Sequence, residues 1–273
     1  MTIIFKAKTN DGYSIKSTAE ILSNNIKTAC FEISTEKISL CMMDHHRITL
    51  IDLDLFAENF SIYKYKGSEP LFIGLNLNHF YKMLKTIKKK DSIQLEINDT
   101  NKNELIIKVI PREKSRVTTS YLKIQNIQNL SIQTPTGYFN PVIVNSTEFQ
   151  KMCKDITSMG QNVNIFARKF YIKFCCNSGE ILKRDVEFGE NCESDSDEEV
   201  NDQKYYYSNE FTTDQLARIN KISALSTNIQ IFPVNGLPLL FRSNIGLLGK
   251  MSIYIKSKSQ IQNEKQINYS DSE

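Results

Sequence analysis

Apolar residues recur along the chain at two periods, and those periods alternate in the same order twice. Ile15, Ala19, Leu22 and Ile26 fall at helical spacing. Strand-like runs follow at Cys30–Ile33, Ile38–Met42 and Ile48–Leu55. In the last run Ile51, Leu53 and Leu55 alternate with Asp52 and Asp54, which predicts a sheet with one apolar and one charged face. Leu77, Phe80, Leu84 and Ile87 predict a second helix, and Ile93–Ile97 and Leu105–Ile110 two more strands.

The second half starts the same plan again. Asn145 and Glu148 have capping-box spacing ahead of the stripe Phe149, Met152, Cys153 and Ile156. Strands are predicted over 163–167, 170–175 and 181–188. Thr212 and Gln215 again have capping-box spacing, before Leu216, Ile219 and Ser223 on one helix face. Strands over 229–232, 237–241 and 251–255 end the repeat. Two copies of a helix–strands–helix–strands order predict an α+β chain of two similar domains. We place them at residues 1–123 and 138–258. The uncharged stretch 124–137, ending in Pro135-Thr-Gly137, reads as a connector, and 259–273 as a polar, disordered tail.

Charge sharpens this picture. The 273-residue chain carries a net charge of +3, too small by itself to imply nucleic acid. Its distribution is uneven. Residues 187–202 hold Glu187, Glu190, Glu193, Asp195, Asp197, Glu198, Glu199 and Asp202, the pattern of a solvated loop. Cations collect on the polar sides of the four predicted helices: Lys16 and Lys27, then Lys82, Lys85, Lys88, Lys89 and Lys90, then Lys151 and Lys154, then Arg218 and Lys221. On one helix such residues only confer solubility. On four helices in two matched halves they can hold phosphate without reading bases. Glu20, Glu148, Asp155 and Asp214 dilute the pattern.

Other classes find little footing. No apolar run approaches the ~18 residues of a membrane span, and Met1–Lys6 does not begin a secretory signal, so an intracellular protein is expected. The six cysteines form no CxxC pair. No GxxxxGK[ST] or GxSxG motif is present. Cys41, Asp44, His45 and His46 are the densest set of possible metal ligands, but adjacent histidines on a strand point to opposite faces. A turn after a strand explains them as well.

Longer segments carry a family resemblance. Ala29-Cys-Phe-Glu-Ile-Ser34, Ile38–Asp44 and Ile48-Thr-Leu50 resemble the ACxDIS strand and MDxxHVxL turn of the eukaryotic DNA sliding clamp family, proliferating cell nuclear antigen. Gly74-Leu-Asn-Leu77 with Lys82-Met-Leu-Lys85 resembles its GVNLxxxxKILK segment, and Glu148–Ile156 its EFxRICRDL segment. Pro238-Leu and Gly249–Tyr254 match its final strands, so that the likeness runs from about residue 13 to 256. Arg47 stands where the family has His, and Lys256-Ser257 where it has Ala-Pro. This chain is slightly basic where relatives are acidic. The Asn-, Ile- and Lys-rich composition suits an AT-rich genome or a large DNA virus.

The resemblance implies a homotrimeric ring with helices lining a central hole and antiparallel sheets outside. Such a ring encircles duplex DNA irrespective of sequence, without catalysis or a cofactor of its own. An ATP-dependent clamp loader opens it, and DNA polymerase and other clamp-binding peptides dock on it. The expected setting is a eukaryotic nucleus or a viral replication site. The implied DNA contacts are Lys16, Lys82, Lys85, Lys88, Lys89, Lys151, Lys154, Arg218 and Lys221. The implied peptide pocket, an apolar one beneath the connector, has walls of Met43, Arg47, Ile48, Leu50, Leu130, Ile132, Pro238 and Tyr254. The implied subunit edges are Arg116, Thr118, Ser120, Tyr121 and Leu122 on one side and Ile181, Lys183 and Val186 on the other. Two other readings remain at this point: a clamp-fold polymerase accessory subunit acting as a monomer or hetero-oligomer, and a metal-dependent nucleic-acid-modifying enzyme using Asp44, His45 and His46.

Overall fold

The computed structural model describes residues 3–113, 116–178, 182–189 and 206–270. The acidic run from Glu190, Cys192 and the edge residue Ile181 lie outside the described residues. Two compact units form. The first holds residues 1–134, 224–226 and 243–253, and the second the remainder. The division at Thr134/Pro135 falls inside the predicted connector.

The first unit contains β1 (Ile3–Thr9), α1 (Gly12–Asn25), β2 (Thr28–Ile33), β3 (Lys37–Met43), β4 (Thr49–Phe56), β5 (Ile62–Tyr65), β6 (Leu71–Asn76), α2 (Leu77–Leu84), β7 (Ser92–Asn98), β8 (Asn101–Ile110) and β9 (Thr118–Lys123). One sheet has the order β5-β1-β7-β8-β9, and β4-β3-β2-β6 run side by side in another. All of these pairings are antiparallel. Alternation sets the inward face: Phe5 and Ala7 of β1, and Leu105, Ile107 and Val109 of β8, are buried while Lys6 and Lys108 are not. Helices α1 and α2 pack against each other, with Ile15, Ala19, Leu22, Leu77, Phe80 and Leu84 buried. The core closes to a void of about 40 Å3 lined by residues such as Phe5, Phe31 and Phe80.

The second unit contains α3 (Ser146–Met159) after β10 (Val142–Asn145), then β11 (Asn162–Arg168), β12 (Tyr171–Ser178), β13 (Leu182–Gly189), β14 (Tyr207–Thr212), α4 (Thr213–Ile219) and β15 (Asn228–Phe232). Strand β16 (Leu239–Ile245) lends its first four residues to this unit, and β17 (Gly249–Ile255) its last two, ahead of α5 (Lys258–Ser270). Strands β13-β12-β11-β14 form one antiparallel sheet, and β10-β15-β16 run together in another. Phe149 of α3 meets Phe174 of β12 edge-on and Phe241 of β16 at a tilt, which fixes the helix on both sheets of the unit.

Four helices start on side-chain caps. Asp11, Asn76, Asn145 and Thr212 each accept a backbone N–H in the first turn of α1, α2, α3 and α4. The capping box expected at Thr212/Gln215 is complete. The one expected at Asn145/Glu148 is half formed, because the Glu148 carboxylate turns instead to Lys151 at 2.8 Å. Strands β1, β5, β6, β10 and β14 go beyond the runs predicted from the pattern.

The tail corrects an expectation. Residues predicted to be disordered from 259 form α5. A reciprocal box starts it: Ser257 N–H donates to Gln260 Oε1 at 2.9 Å, and Gln260 N–H donates to Ser257 Oγ at 3.3 Å. Lys258 then pairs with Glu210 at 3.0 Å and Lys256 with Glu264 at 2.7 Å. Polar composition hid a helix held by caps and ion pairs rather than by an apolar stripe.

Candidate functional site

Three surfaces carry the residues singled out by sequence. The first is the outer side of the helix pairs. In the first unit Lys82, Lys85, Lys88, Lys89 and Lys90 are exposed, on α2 and the turn that follows it. None of them has an ion pair among the described residues. Lys89 lies over the Tyr13 ring at 5.9 Å. Lys16 is more restrained, since its ammonium donates to the Ile87 carbonyl at 3.0 Å and ties α1 to the end of α2.

The second unit is different. Lys151 is paired with Glu148 at 2.8 Å, and Arg218 with Asp214 at 2.7 Å. Lys154 is exposed and Lys221 half-buried. The matched cations of the two halves are therefore electrostatically unequal. The first unit offers lysines without ion pairs among the described residues, and in the second two of the four cations are held by acids.

The second surface is a pair of open strand edges. Among the described residues, β9 pairs in its sheet only with β8, and β13 in its own sheet only with β12. Each leaves a row of backbone groups on its other side. Tyr121 is 58% exposed on β9 and Leu182 48% exposed on β13, beside exposed Thr118 and Lys183. Ser120 and Val186 are half-buried, and Arg116 is exposed just ahead of β9. Leu122, expected at the edge, instead points into the first unit's core at 5% exposure, because alternation puts it on the face opposite Tyr121.

The third surface surrounds the connector. Gln125 N–H donates to the Gly74 carbonyl at 2.8 Å, so the connector starts as an extra bridge on β6. Farther along, Leu130 is 61% exposed and Ile132 half-buried. The turn between β3 and β4 holds Arg47 and Ile48, and Met43 stands opposite Leu50 across the two strands. Leu50 is buried, Met43 and Ile48 are half-buried and Arg47 is exposed.

In the second unit the Tyr138 hydroxyl donates to the Pro238 carbonyl at 2.8 Å, and its ring lies 5.7 Å from that of Tyr254. Burial pushes the Tyr138 hydroxyl pKa up, so it stays a neutral donor. Sequence reading missed Tyr138. Its signal was an aromatic residue directly after the turn at Gly137, whose φ is +94°.

A further space opens under the connector, sharing Leu130 and Ile132 with the expected pocket. In the first unit it is a polar cleft of about 380 Å3, lined by Glu32, Lys37, Ser39, Cys41, Asp52 and Asp54 beneath residues 129–134. The cause is strand alternation: Phe31, Ile33, Ile38, Leu53 and Leu55 turn inward, which leaves the polar residues of β2, β3 and β4 outside. Lys37 pairs with Asp54 at 2.7 Å. Burial, with Asp52 and Asp54 nearby, pushes the Cys41 thiol up to about 11.

The Asp44 cluster is a turn. Asp44 Oδ1 accepts Ile48 N–H at 2.7 Å and Thr49 N–H at 2.8 Å, while Arg47 takes φ +57°. His45 and His46 are exposed, with ring centroids 3.6 Å apart. Among the described residues no group of three His, Cys, Asp or Glu side chains is placed to hold a metal. No helix of the described residues is long and apolar enough to cross a membrane.

Comparison with known proteins now bears on these surfaces. A crystal structure of proliferating cellular nuclear antigen from Entamoeba histolytica superposes with a TM-score of 0.78, covering 94% of this chain and 100% of that one. At 19% identity this likeness speaks for the fold. The model of the N-terminal domain of proliferating cell nuclear antigen matches residues 4–131, and that of the C-terminal domain residues 134–258. The two matches meet within the connector and take in both helix pairs, both open edges and the β3–β4 turn. The chain is therefore a two-domain sliding-clamp protein, and it belongs to the proliferating cell nuclear antigen family.

Proposed function

We propose that three copies of this chain close head to tail into a ring that encircles duplex DNA, slides along it and holds DNA polymerase and other replication and repair proteins on their template. The observation that carries this reading is the pair of unlike open edges, β9 and β13, in a chain of this family. Two different edges on one chain make a heterologous contact, and such contacts generate rings when the rotation closes. Left bare, the same edges would invite uncontrolled strand pairing.

In the ring, the helix pairs face the DNA. Lys82, Lys85, Lys88 and Lys89 of each copy touch phosphates in passing, together with Lys154 and Lys221, while Lys16, Lys151 and Arg218 have lesser roles because of their internal bonds. Flexible ammonium groups on a helix surface suit a protein that must not stop at any sequence. Partner peptides dock on Met43, Arg47, Ile48, Leu50, Leu130 and Ile132 together with Pro238 and Tyr254. A helical turn with aliphatic and aromatic anchors suits such a surface, and the connector backbone adds strand-like hydrogen bonds. The work is topological, so the clamp itself needs neither catalysis nor cofactor. An ATP-dependent loader opens it, in a nucleus or at a viral replication site.

Threading tests this without a loader. At micromolar concentration the protein should accumulate on linear duplex DNA with free ends, and blocking both ends with bulky protein caps should abolish that accumulation. Equal retention on open and capped DNA would mean binding from the side and would exclude encirclement.

A further inference from the structure

We propose that the first unit's part of the docking surface is polarised in charge. It takes partner peptides that carry an acidic residue on one side of their apolar anchors and a basic residue on the other. This deepens the peptide-docking reading above and rests on it.

The surface is one face of the β3–β4 pair. The register sets Met43 opposite Leu50, Cys41 opposite Asp52 and Ser39 opposite Asp54. Strand alternation puts these side chains on one face, away from Leu53 and Leu55 in the core. Met43 and Leu50 therefore lie between the turn that joins the strands and the carboxylates farther along. Leu50 and Asp54 are about 13 Å apart along the strand.

The turn end is cationic. His45, His46 and Arg47 are exposed there, and Arg47 has no ion pair among the described residues. The carboxylate of the turn, Asp44, is buried and accepts Ile48 and Thr49 N–H. Arg47 N–H donates in turn to the Asp44 carbonyl at 3.0 Å. These bonds fix the backbone that presents the guanidinium, and the imidazoles add N–H donors at neutral pH.

The other end is anionic. Glu32, Asp52 and Asp54 line the cleft under the connector against one ammonium, that of Lys37. Lys37 is bonded to Asp54 at 2.7 Å, and Lys250 reaches the same carboxylate at 3.6 Å. Acids outnumber bases even with both lysines counted. The roof adds no charge, since residues 124–137 contain none. Thiols in the walls respond to the same field: burial with Asp52 and Asp54 raises the pKa of Cys41, and burial with Glu32 that of Cys30. Phe72 stands opposite Glu32 on the neighbouring strand and is 47% exposed. A carboxylate beside an exposed ring suits the head of a lysine or arginine, whose stem packs on apolar surface. The cleft, about 380 Å3, has room for such a side chain.

A peptide lying along this face meets opposite charge at both ends only in one order. In the reverse order it meets like charge at both, which costs affinity. Charge order therefore fixes the direction in which the peptide lies.

The test uses the full chain and two synthetic peptides of one composition, each built on a helical turn with a leucine and a phenylalanine. The first carries glutamate before these anchors and lysine after them, and the second has the two exchanged. Calorimetric titration at 0.1 M salt should find one peptide binding about tenfold more tightly than the other, and the tighter one reports the direction. The gap should close in 1 M NaCl, where the screening length is about 3 Å. It should narrow in Arg47→Gln and again in a Glu32→Gln, Asp52→Asn double variant. Equal affinity of the two peptides at 0.1 M salt overturns the proposal. A gap unchanged in both variants belongs to the peptides themselves and overturns it too.

Leu50→Ala separates this inference from the reading beneath it. If it weakens both peptides while charge order makes no difference, the docking surface stands and its polarity falls. If it weakens neither, or if neither peptide binds the wild type, the docking surface itself is removed and the polarity with it.

Discussion

Gln125 and Gly74 are joined backbone to backbone, the Gln125 N–H donating to the Gly74 carbonyl at 2.8 Å, and this bond starts the connector as a short extra strand on β6. Gly74 has no side chain because there is no room for one. A Cβ there would land on the Gln125 carbonyl oxygen and the Ile127 side chain. We expect Gly74→Ala to destabilise the protein by about 1–3 kcal/mol, as overpacking does. Urea unfolding measures this, and amide exchange should rise at Gln125 first. An unchanged urea midpoint would mean the connector is not held here.

The docking surface can be tested from both of its parts. Ile132→Ala removes a half-buried anchor on the connector, and Leu50→Ala a buried one on β4. Each should weaken binding of a polymerase C-terminal peptide by about 5- to 150-fold, the equivalent of 1–3 kcal/mol. Tyr138→Phe keeps the ring but deletes the bond to Pro238, and should cost about 0.5–1.5 kcal/mol of stability. Calorimetric titration reads the first pair, and denaturation the third. Full affinity in both alanine variants would place the partner site elsewhere.

The inequality of the helix pairs predicts unequal mutants. Replacing Lys82, Lys85, Lys88 and Lys89 by alanine should lower the salt slope of DNA association by about 1 for each phosphate left without its cation. Replacing Lys151 and Arg218 should change it far less, because each already has an acidic partner. Equal slopes in the two sets would show that internal ion pairing does not decide which cations reach DNA.

Glu96 gives the fold a pH dependence. Its carboxylate lies buried between Lys6 at 3.0 Å and Lys108 at 2.7 Å on neighbouring strands. Burial alone would raise its pKa, but the hydrogen bonds from Lys108 and Lys6 together outweigh burial and lower it. A lowered folded-state pKa stabilises the fold above the unfolded value of about 4.3. That stability is lost as pH falls from there through the folded value. Glu96→Gln should flatten this part of the acid unfolding curve, and Glu96→Ala should cost about 1–3 kcal/mol at neutral pH. An acid limb unchanged in Glu96→Gln would contradict the assignment.

What the sequence disclosed follows from how each element is stabilised. Helices with apolar stripes, such as Leu77/Phe80/Leu84 and Phe149/Met152/Cys153/Ile156, were legible because burial imposes a period. The helix of the tail was not, since it rests on the Ser257/Gln260 box and on ion pairs to Glu210 and Glu264. Short strands such as β5 and β10 have too few residues for a period to emerge. Lysines on helix faces could be placed from the pattern, but their pairing could not. Whether Lys151 is held by Glu148, or Lys16 by the Ile87 carbonyl, depends on rotamers and on neighbours distant in sequence. The polar cleft under the connector was within reach of the pattern, because alternation already sets Asp52 and Asp54 on the charged face of β4.

The central claim is a ring built from unlike edges, and solution mass tests it most directly. Light scattering across a hundredfold range of concentration should report three times the 31.5 kDa chain. Tyr121→Glu on β9 and Leu182→Glu on β13, both at exposed positions, should each shift that mass toward one chain while leaving the circular dichroism spectrum unchanged. A wild-type mass of 31.5 kDa at every concentration, or a trimer indifferent to both substitutions, would contradict the account.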